Sequence, residues 1–268
     1  MTLEILRVDS VRAAVAIIAA ESGARFVGGG TLAVRDVNYG DGSTRKLILP
    51  DGLALDGISV AAGRITLGAA ATMAQIERHP GLAFLRQVAG AIGGPAIRTM
   101  ATVGGNLFAP YPFGDFTVAL LALGASVTIE GAQKSETIEL EKFLTGNGVP
   151  KGVVVSVSFA EPPAGAFRFA KVVRRKPHGA SVLSIAALLP MAELKVVGAR
   201  IAYGAMAPRP IRTQNVELAL EGNALDAATI AAAVKVASMG CAPLTDPQAS
   251  DWYRLQVLPV HLKRLLEA

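Results

Sequence analysis

Ile97-Arg98-Thr99-Met100-Ala101-Thr102-Val103-Gly104-Gly105-Asn106-Leu107 is the stretch on which the reading of this chain turns. Its Gly-Gly pair opens backbone dihedrals closed to other residues. It also lets main-chain N–H groups approach an anion with no Cβ in the way. Thr102 and Asn106 flank the pair with polar side chains. An earlier run, Val27-Gly28-Gly29-Gly30-Thr31, has the same character and follows a short predicted strand at 25–27. It is not the dinucleotide fingerprint G-x-G-x-x-G, because no βαβ unit follows, and it lacks the Gly-Lys-Ser/Thr of a Walker A loop. Taken alone, Gly28–Gly30 reads as a tight turn sooner than as a phosphate site. Two such runs, with flanking Thr and Asn, have the chemistry to cradle the two phosphates of a dinucleotide from both sides. Asp115 then opens an apolar helix, either as an ordinary N-cap or as an acceptor for ribose hydroxyls.

Outward from these runs the pattern is mixed. Ser10 caps a helix over 10–21, and Lys46–Leu49 reads as a strand ended by Pro50-Asp51-Gly52. The segment between Thr31 and Lys46, rich in Gly, Asp and Ser over 38–44, reads as a mobile loop. Residues 58–62 and 64–69 alternate as a hairpin around Gly63. Thr72 caps a short helix to Glu77, a second helix spans 82–92, and 98–112 reads as irregular. The helix 116–123 closes at Gly124. Strands follow at 125–130 and 153–159. Glu161-Pro162-Pro163 stops both helix and sheet and is the boundary candidate. Beyond it come strands near 167–173, 184–189, 193–197 and 200–204, then helices over 213–222, 226–239 and 252–266, the last interrupted at Pro259. Strands follow strands without regular βαβ alternation, so the class is α+β. The division is 1–163, in lobes of roughly 1–52 and 53–163, and 164–268.

Composition narrows the function. The chain has 268 residues, 51% hydrophobic and 18% charged, against about 25% charged in an average domain. That excludes intrinsic disorder and points to surface hidden against partners. A single cysteine, Cys241, excludes an internal disulfide, an iron–sulfur cluster or a Cys-rich zinc site within the chain. The N-terminus, with Glu4 and Asp9, does not read as a signal peptide. The longest apolar run, Phe116 to Ile129, is too short to span a membrane, so a cytoplasmic location is expected. The net charge of +5 gathers most tightly at Lys171, Arg174, Arg175 and Lys176. Without interleaved aromatics or a helix-turn-helix, this excludes nucleic acid as the partner. It reads as a solvated loop or as a contact to an anionic cofactor or subunit. His79, His178 and His261 lack metal-ligand spacing, so no metal site and no catalytic side-chain set is expected.

Four segments in order carry a more specific signal. They are Phe26 to Thr31, Ile65 to Met73, Ile97 to Leu107, and Asp115 with Leu120 to Ala125. Together they resemble the flavoprotein (medium) subunit of the molybdenum hydroxylases, the family of carbon monoxide dehydrogenase and xanthine dehydrogenase. Past the Pro-Pro boundary, Phe169-Ala170-Lys171 with Arg174-Arg175, Arg200 to Ala207 with Pro208-Arg209-Pro210, and Trp252-Tyr253-Arg254 are similar to that family's C-terminal domain. The resemblance covers nearly the whole chain. It implies FAD in a PCMH-type (vanillyl-alcohol-oxidase-like) domain, followed by a smaller domain with an antiparallel sheet and helices.

On that resemblance Val27, Gly28, Gly29, Gly30, Thr31 and Leu32 form one pyrophosphate loop, and Ala101, Thr102, Gly104, Gly105 and Asn106 the other. Asp115 holds ribityl or ribose hydroxyls. Lys176 and His178 lie beside the isoalloxazine, where this sequence has His178 or Gly179 and no stacking tyrosine. The implied partners are a large subunit with the molybdenum-pterin cofactor and a small [2Fe–2S] subunit, in a heterotrimer or its dimer. The implied role is electron transfer from the [2Fe–2S] subunit to NAD+, a quinone or O2. The alternative is a self-contained flavin oxidase or reductase of the same fold acting on a small substrate. The roughly 105 residues after Pro163 are short for a substrate-capping domain, and the first glycine run holds no His or Cys to bond flavin covalently.

Overall fold

A computed structural model describes residues 3–147 and 151–268. The first lobe runs β1 (Glu4–Arg7), α1 (Val11–Ala20), β2 (Ala24–Phe26), α2 (Ala33–Asn38) and β3 (Lys46–Leu49). Ser10 caps α1, its hydroxyl accepting from the Ala13 N–H at 3.1 Å. The strands form a small sheet in the order β1-β3-β2, and both pairings are parallel. This corrects the expectation that no βαβ unit follows the first glycine run: β2-α2-β3 is one, its two strands adjacent and parallel. The stretch read as a mobile loop also contains α2, whose backbone starts from Gly30 through the bond of the Val34 N–H to the Gly30 carbonyl.

The second lobe is an antiparallel sheet of β4 (Ile58–Ala61), β5 (Arg64–Gly68), β6 (Ser126–Gly131), β7 (Ser135–Glu139) and β8 (Gly152–Ala160), in the order β4-β5-β8-β6-β7. Between β5 and β6 lies a chain of short helices: α3 (Met73–Arg78), α4 (Arg86–Gly90), α5 (Pro95–Arg98), α6 (Val103–Leu107) and α7 (Asp115–Ala122). Thr72 caps α3 in a reciprocal box with Gln75. The single helix expected over 82–92 is instead a 3₁₀ turn, Pro80–Leu85, bent at Leu82 and followed by α4. The segment read as irregular, 98–112, holds the last residue of α5 and all of α6. The hairpin strand β7 and α8 (Leu140–Thr145), packed beneath the sheet through Leu140, were not foreseen.

After Glu161-Pro162-Pro163 the chain forms β9 (Phe167–Val173), β10 (Ser181–Leu188), the small hairpin β11 (Met191–Ala192) and β12 (Lys195–Val196), then β13 (Arg200–Gly204) and β14 (Ile211–Arg212). The main sheet is antiparallel, β14-β13-β10-β9. Helices α9 (Gln214–Leu220), α10 (Ala227–Lys235) and α11 (Asp251–Leu266) cover one face, with Val216, Leu220, Ala233, Leu258 and Leu262 in a second core. Helix α11 continues through Pro259 without a break. Every residue of α7 is buried, and Phe169, Ala186 and Ala202 of the C-terminal sheet join the core built on it. The helix is therefore wedged between the second lobe and the C-terminal sheet.

Candidate functional site

The two glycine runs meet where the lobes meet. A Cβ on Gly28 would lie 2.3 Å from the Thr102 hydroxyl oxygen, and one on Gly29 only 1.4 Å from the Met100 carbonyl oxygen. Only glycine permits that approach. A cleft of about 320 Å³ opens beside the contact, lined by Gly28, Gly29, Asp51, Thr72 and Thr102 among others. Val27 is buried, and its N–H is spent on the Ile48 carbonyl at 2.9 Å, which continues the β2–β3 ladder. The N–H groups of Gly28, Gly29, Gly30, Thr31 and Leu32 find no acceptor among the described residues. Gly30, at φ 70°, turns this run into α2, with Leu32 at its N-cap.

The second run is built differently. Its N–H groups are largely satisfied within the protein: Val103 to the Ala71 carbonyl, Gly104 to Ala69, and Gly105 to the Thr102 hydroxyl at 3.1 Å. Gly104 is buried with no room to spare, since a Cβ would sit 3.0 Å from both Ala69 Cβ and its carbonyl oxygen. Gly105 is exposed. Ala101 ties this run to α3 by accepting from the Met73 N–H. The Asn106 side-chain oxygen accepts from the Thr117 N–H at 2.9 Å, which fixes the side chain against α7. The first run therefore offers donors and the second supplies a rigid wall. A pyrophosphate carries acceptors only, so acceptor-free amides on glycines suit it.

Asp115 is not an N-cap, because Gly114 takes that position with φ 102°. The Asp115 carboxylate is buried and engaged. Oδ2 lies 2.9 Å from Lys171 Nζ, and Oδ1 accepts from Ser181 Oγ at 2.6 Å. Lys171 Nζ also donates to the Ala91 carbonyl at 2.8 Å. A carboxylate has about four lone-pair sites, so each oxygen keeps one for a further donor. Lys171 and Ser181 were not among the expected site residues. Lys171 does not belong to the basic loop: it sits within β9 on the same face as Phe167 and Phe169. The period-2 alternation of that strand is the signal that marks it as inward-facing.

Lys176 and His178 lie in the turn between β9 and β10 and are exposed. The His178 ring packs over Gly94, at the start of α5. Around the far end of α6, Leu107, Phe108, Tyr111, Phe143 and Arg209 line a second cavity of about 410 Å³. Phe108 and Phe143 meet edge to face at 5.5 Å, and the Arg35 guanidinium of α2 lies 5.6 Å from the Phe113 ring centre. Burial raises the Tyr111 phenol above its ordinary pKa. Among the described residues no group of His, Cys, Asp and Glu is placed to hold a metal ion, and no helix is long and apolar enough to cross a membrane.

Comparison with known proteins places this arrangement among relatives. Residues 1–160 match the family described as the FAD binding domain in molybdopterin dehydrogenase, and residues 168–268 that described as the CO dehydrogenase flavoprotein C-terminal domain. The chain is 26% identical over 275 residues to the putative xanthine dehydrogenase FAD-binding subunit XdhB of Escherichia coli K12, covering 97% of this chain and 93% of that one. It is 28% identical over 272 residues to the 6-hydroxypseudooxynicotine dehydrogenase complex subunit alpha of Paenarthrobacter nicotinovorans, covering 96% and 91%. In fold it is similar to a chain of the reconstituted CO dehydrogenase from Oligotropha carboxidovorans, with a TM-score of 0.92 at 24% identity, covering 100% of this chain and 97% of that one.

Proposed function

The chain belongs to the family of FAD-binding subunits of molybdenum hydroxylases, and from that premise we propose that it is the electron-transfer subunit of such a complex. It takes electrons from a small [2Fe–2S] subunit, fed in turn by a large molybdenum-pterin subunit, and passes them to NAD+, a quinone or O2. The observation that carries this reading is the row of acceptor-free amides from Gly28 to Leu32, facing Thr102 across the lobe boundary. Those amides and the Thr31 hydroxyl bind the pyrophosphate. Val27 and Ala101 anchor the two runs to β3 and α3. Thr102, Gly104, Gly105 and Asn106 form the opposite wall. Asp115 turns its remaining lone pairs to ribityl or ribose hydroxyls. Lys176 and His178, in the turn between β9 and β10, lie beside the isoalloxazine, with His178 over Gly94. FAD, when bound, supplies stepwise electron exchange, and the protein supplies position and electrostatics.

A lone thiol cannot ligate a cluster, so the partner centres reside on other chains, in a heterotrimer or its dimer. The same lone thiol favours a cytoplasmic location. The domain division at residue 163, with lobes parting near residue 52, is part of this proposal. It is supported by β8 ending at Ala160 and the C-terminal sheet beginning at Phe167. The test is purification from the native host, with absorbance at about 450 nm as the flavin signature and identification of co-purifying subunits. Yellow protein accompanied by molybdenum and iron–sulfur subunits supports the reading. Colourless protein, or turnover of aldehydes, purines or carbon monoxide by the pure single chain, overturns it.

A further inference from the structure

Arg254, on α11, is completely buried, and its hydrogen bonds go to neither glycine run nor Asp115. Its Nη2 donates to Asp246 Oδ1 at 2.7 Å, and its Nη1 donates to the carbonyls of Ser181, at 3.3 Å, and Val182. Its guanidinium lies 5.2 Å from the centre of the Tyr111 ring. The Tyr111 hydroxyl donates to the Leu244 carbonyl at 2.8 Å and accepts from the Leu244 N–H at 3.2 Å. This network reaches Asp115 through Ser181, whose carbonyl accepts from Arg254 and whose hydroxyl donates to Asp115 Oδ1. Tyr111 precedes Asp115 by one turn's length of chain, in the α6–α7 connection. A buried ion pair is weak evidence for stability, since apolar residues of similar volume stabilise as well or better. What the planar guanidinium adds is fixed direction.

We propose that Ser181 and Arg254 are positioning residues for the cofactor. Arg254 fixes the backbone at Ser181 and the ring of Tyr111, and Ser181 then fixes the Asp115 carboxylate against Lys171 in the orientation that receives a hydroxyl of FAD. The proposal rests on the FAD reading above. Without the Ser181 hydroxyl the carboxylate is held by Lys171 at Oδ2 alone and can turn about its soft terminal torsion, while its place in buried α7 is unchanged. The carboxylate's charge is then stabilised by one hydrogen-bond donor fewer, which disfavours reduced anionic flavin.

The experiment uses the full chain with FAD and compares wild type, Ser181→Ala, Arg254→Lys and a reference, Ile230→Val, in the core beneath α10. FAD dissociation constant, flavin midpoint potential and the melting temperature of the FAD-free chain are read for each. Ser181→Ala is expected to raise the dissociation constant about tenfold, the loss of one hydrogen bond to a charged group, and to lower the potential. Arg254→Lys is expected to move both in the same direction. Ile230→Val lowers melting temperature alone. If Arg254→Lys fails to fold, Ser181→Ala decides. A dissociation constant that follows melting temperature through all variants, or an unchanged potential and affinity in Ser181→Ala, overturns the proposal while wild type still binds FAD. A wild type that binds no FAD removes the FAD reading and this proposal with it.

Discussion

A single methyl group decides the glycine contact between the lobes. On Gly28 it would strike the Thr102 hydroxyl oxygen at 2.3 Å, an atom that also accepts from the Gly105 N–H. Gly28→Ala is therefore expected to weaken FAD retention at least about tenfold, with the lost cap adding about 1 kcal/mol of destabilisation. Normal flavin content in the purified variant sinks the phosphate-loop assignment. Gly29→Ala pushes against the Met100 backbone, which cannot rotate away, and is expected to be worse in both respects. At Cys241 burial pushes the thiol up to about 11 from 9.0. That leaves about a hundredfold less thiolate at pH 8 than an unperturbed group, and the thiolate is the nucleophile. Alkylation of the half-buried thiol in the native chain is expected to be slower than in the unfolded chain; equal rates refute this effect of burial. Such residues were legible from sequence because glycine's freedom and cysteine's chemistry are local properties. Lys171 and Ser181 were not, because their meaning comes from Asp115, which lies far off in sequence and only tertiary packing brings near.

Helix α6 shows where sequence reading of an element stops. Its five residues include Gly104 and Gly105, each costing about 1 kcal/mol relative to Ala in a helix, so propensity argues for irregular chain. It forms because Thr102 caps it, the Gly104 N–H is taken by Ala69, and Asn106 grips the N-terminus of α7. Thr102→Ala is expected to cost about 1 kcal/mol in urea unfolding and to weaken FAD retention. Thr102→Ser, which keeps the hydroxyl, stays near wild type. Equal behaviour of the two variants would show that the cap does not hold this turn. The same contrast runs through the molecule. The 58–68 hairpin, the Thr72 cap, β9 and β13 were readable from alternation and capping chemistry within one window. Strand β1 is four residues with largely exposed side chains, EILR, and exists through its parallel ladder to β3. A partner some forty residues on leaves no local pattern.

The two halves of the chain are locked together at both ends of α7. At its N-terminus the Asp115 carboxylate takes Lys171 and Ser181 of the C-terminal sheet. At its C-terminus Arg200 of β13 donates to the Leu121 carbonyl at 3.4 Å. Anion at the first turn and cation at the last both match the helix dipole. Alongside, Arg212 of β14 bridges Glu217 at 2.7 Å and Glu141 of α8 at 3.3 Å. The FAD-side carboxylate is thus oriented by the domain that does not contain it, and unfolding of the two halves is expected to be one transition. The Lys171 and Asp115 side chains are only 11% and 5% exposed, so water screens the pair little. Lys171→Met leaves Asp115 charged and unpaired in the core, a change that costs about 3–5 kcal/mol. Adding Asp115→Asn removes that stranded charge, so the double variant is expected to recover a large part of the loss. Calorimetry of the wild type, both single variants and the double variant measures this coupling. A Lys171→Met cost below about 1 kcal/mol is the range of exposed pairs, and with no recovery in the double variant it would mean that packing around α7, and not the ion pair, joins the halves.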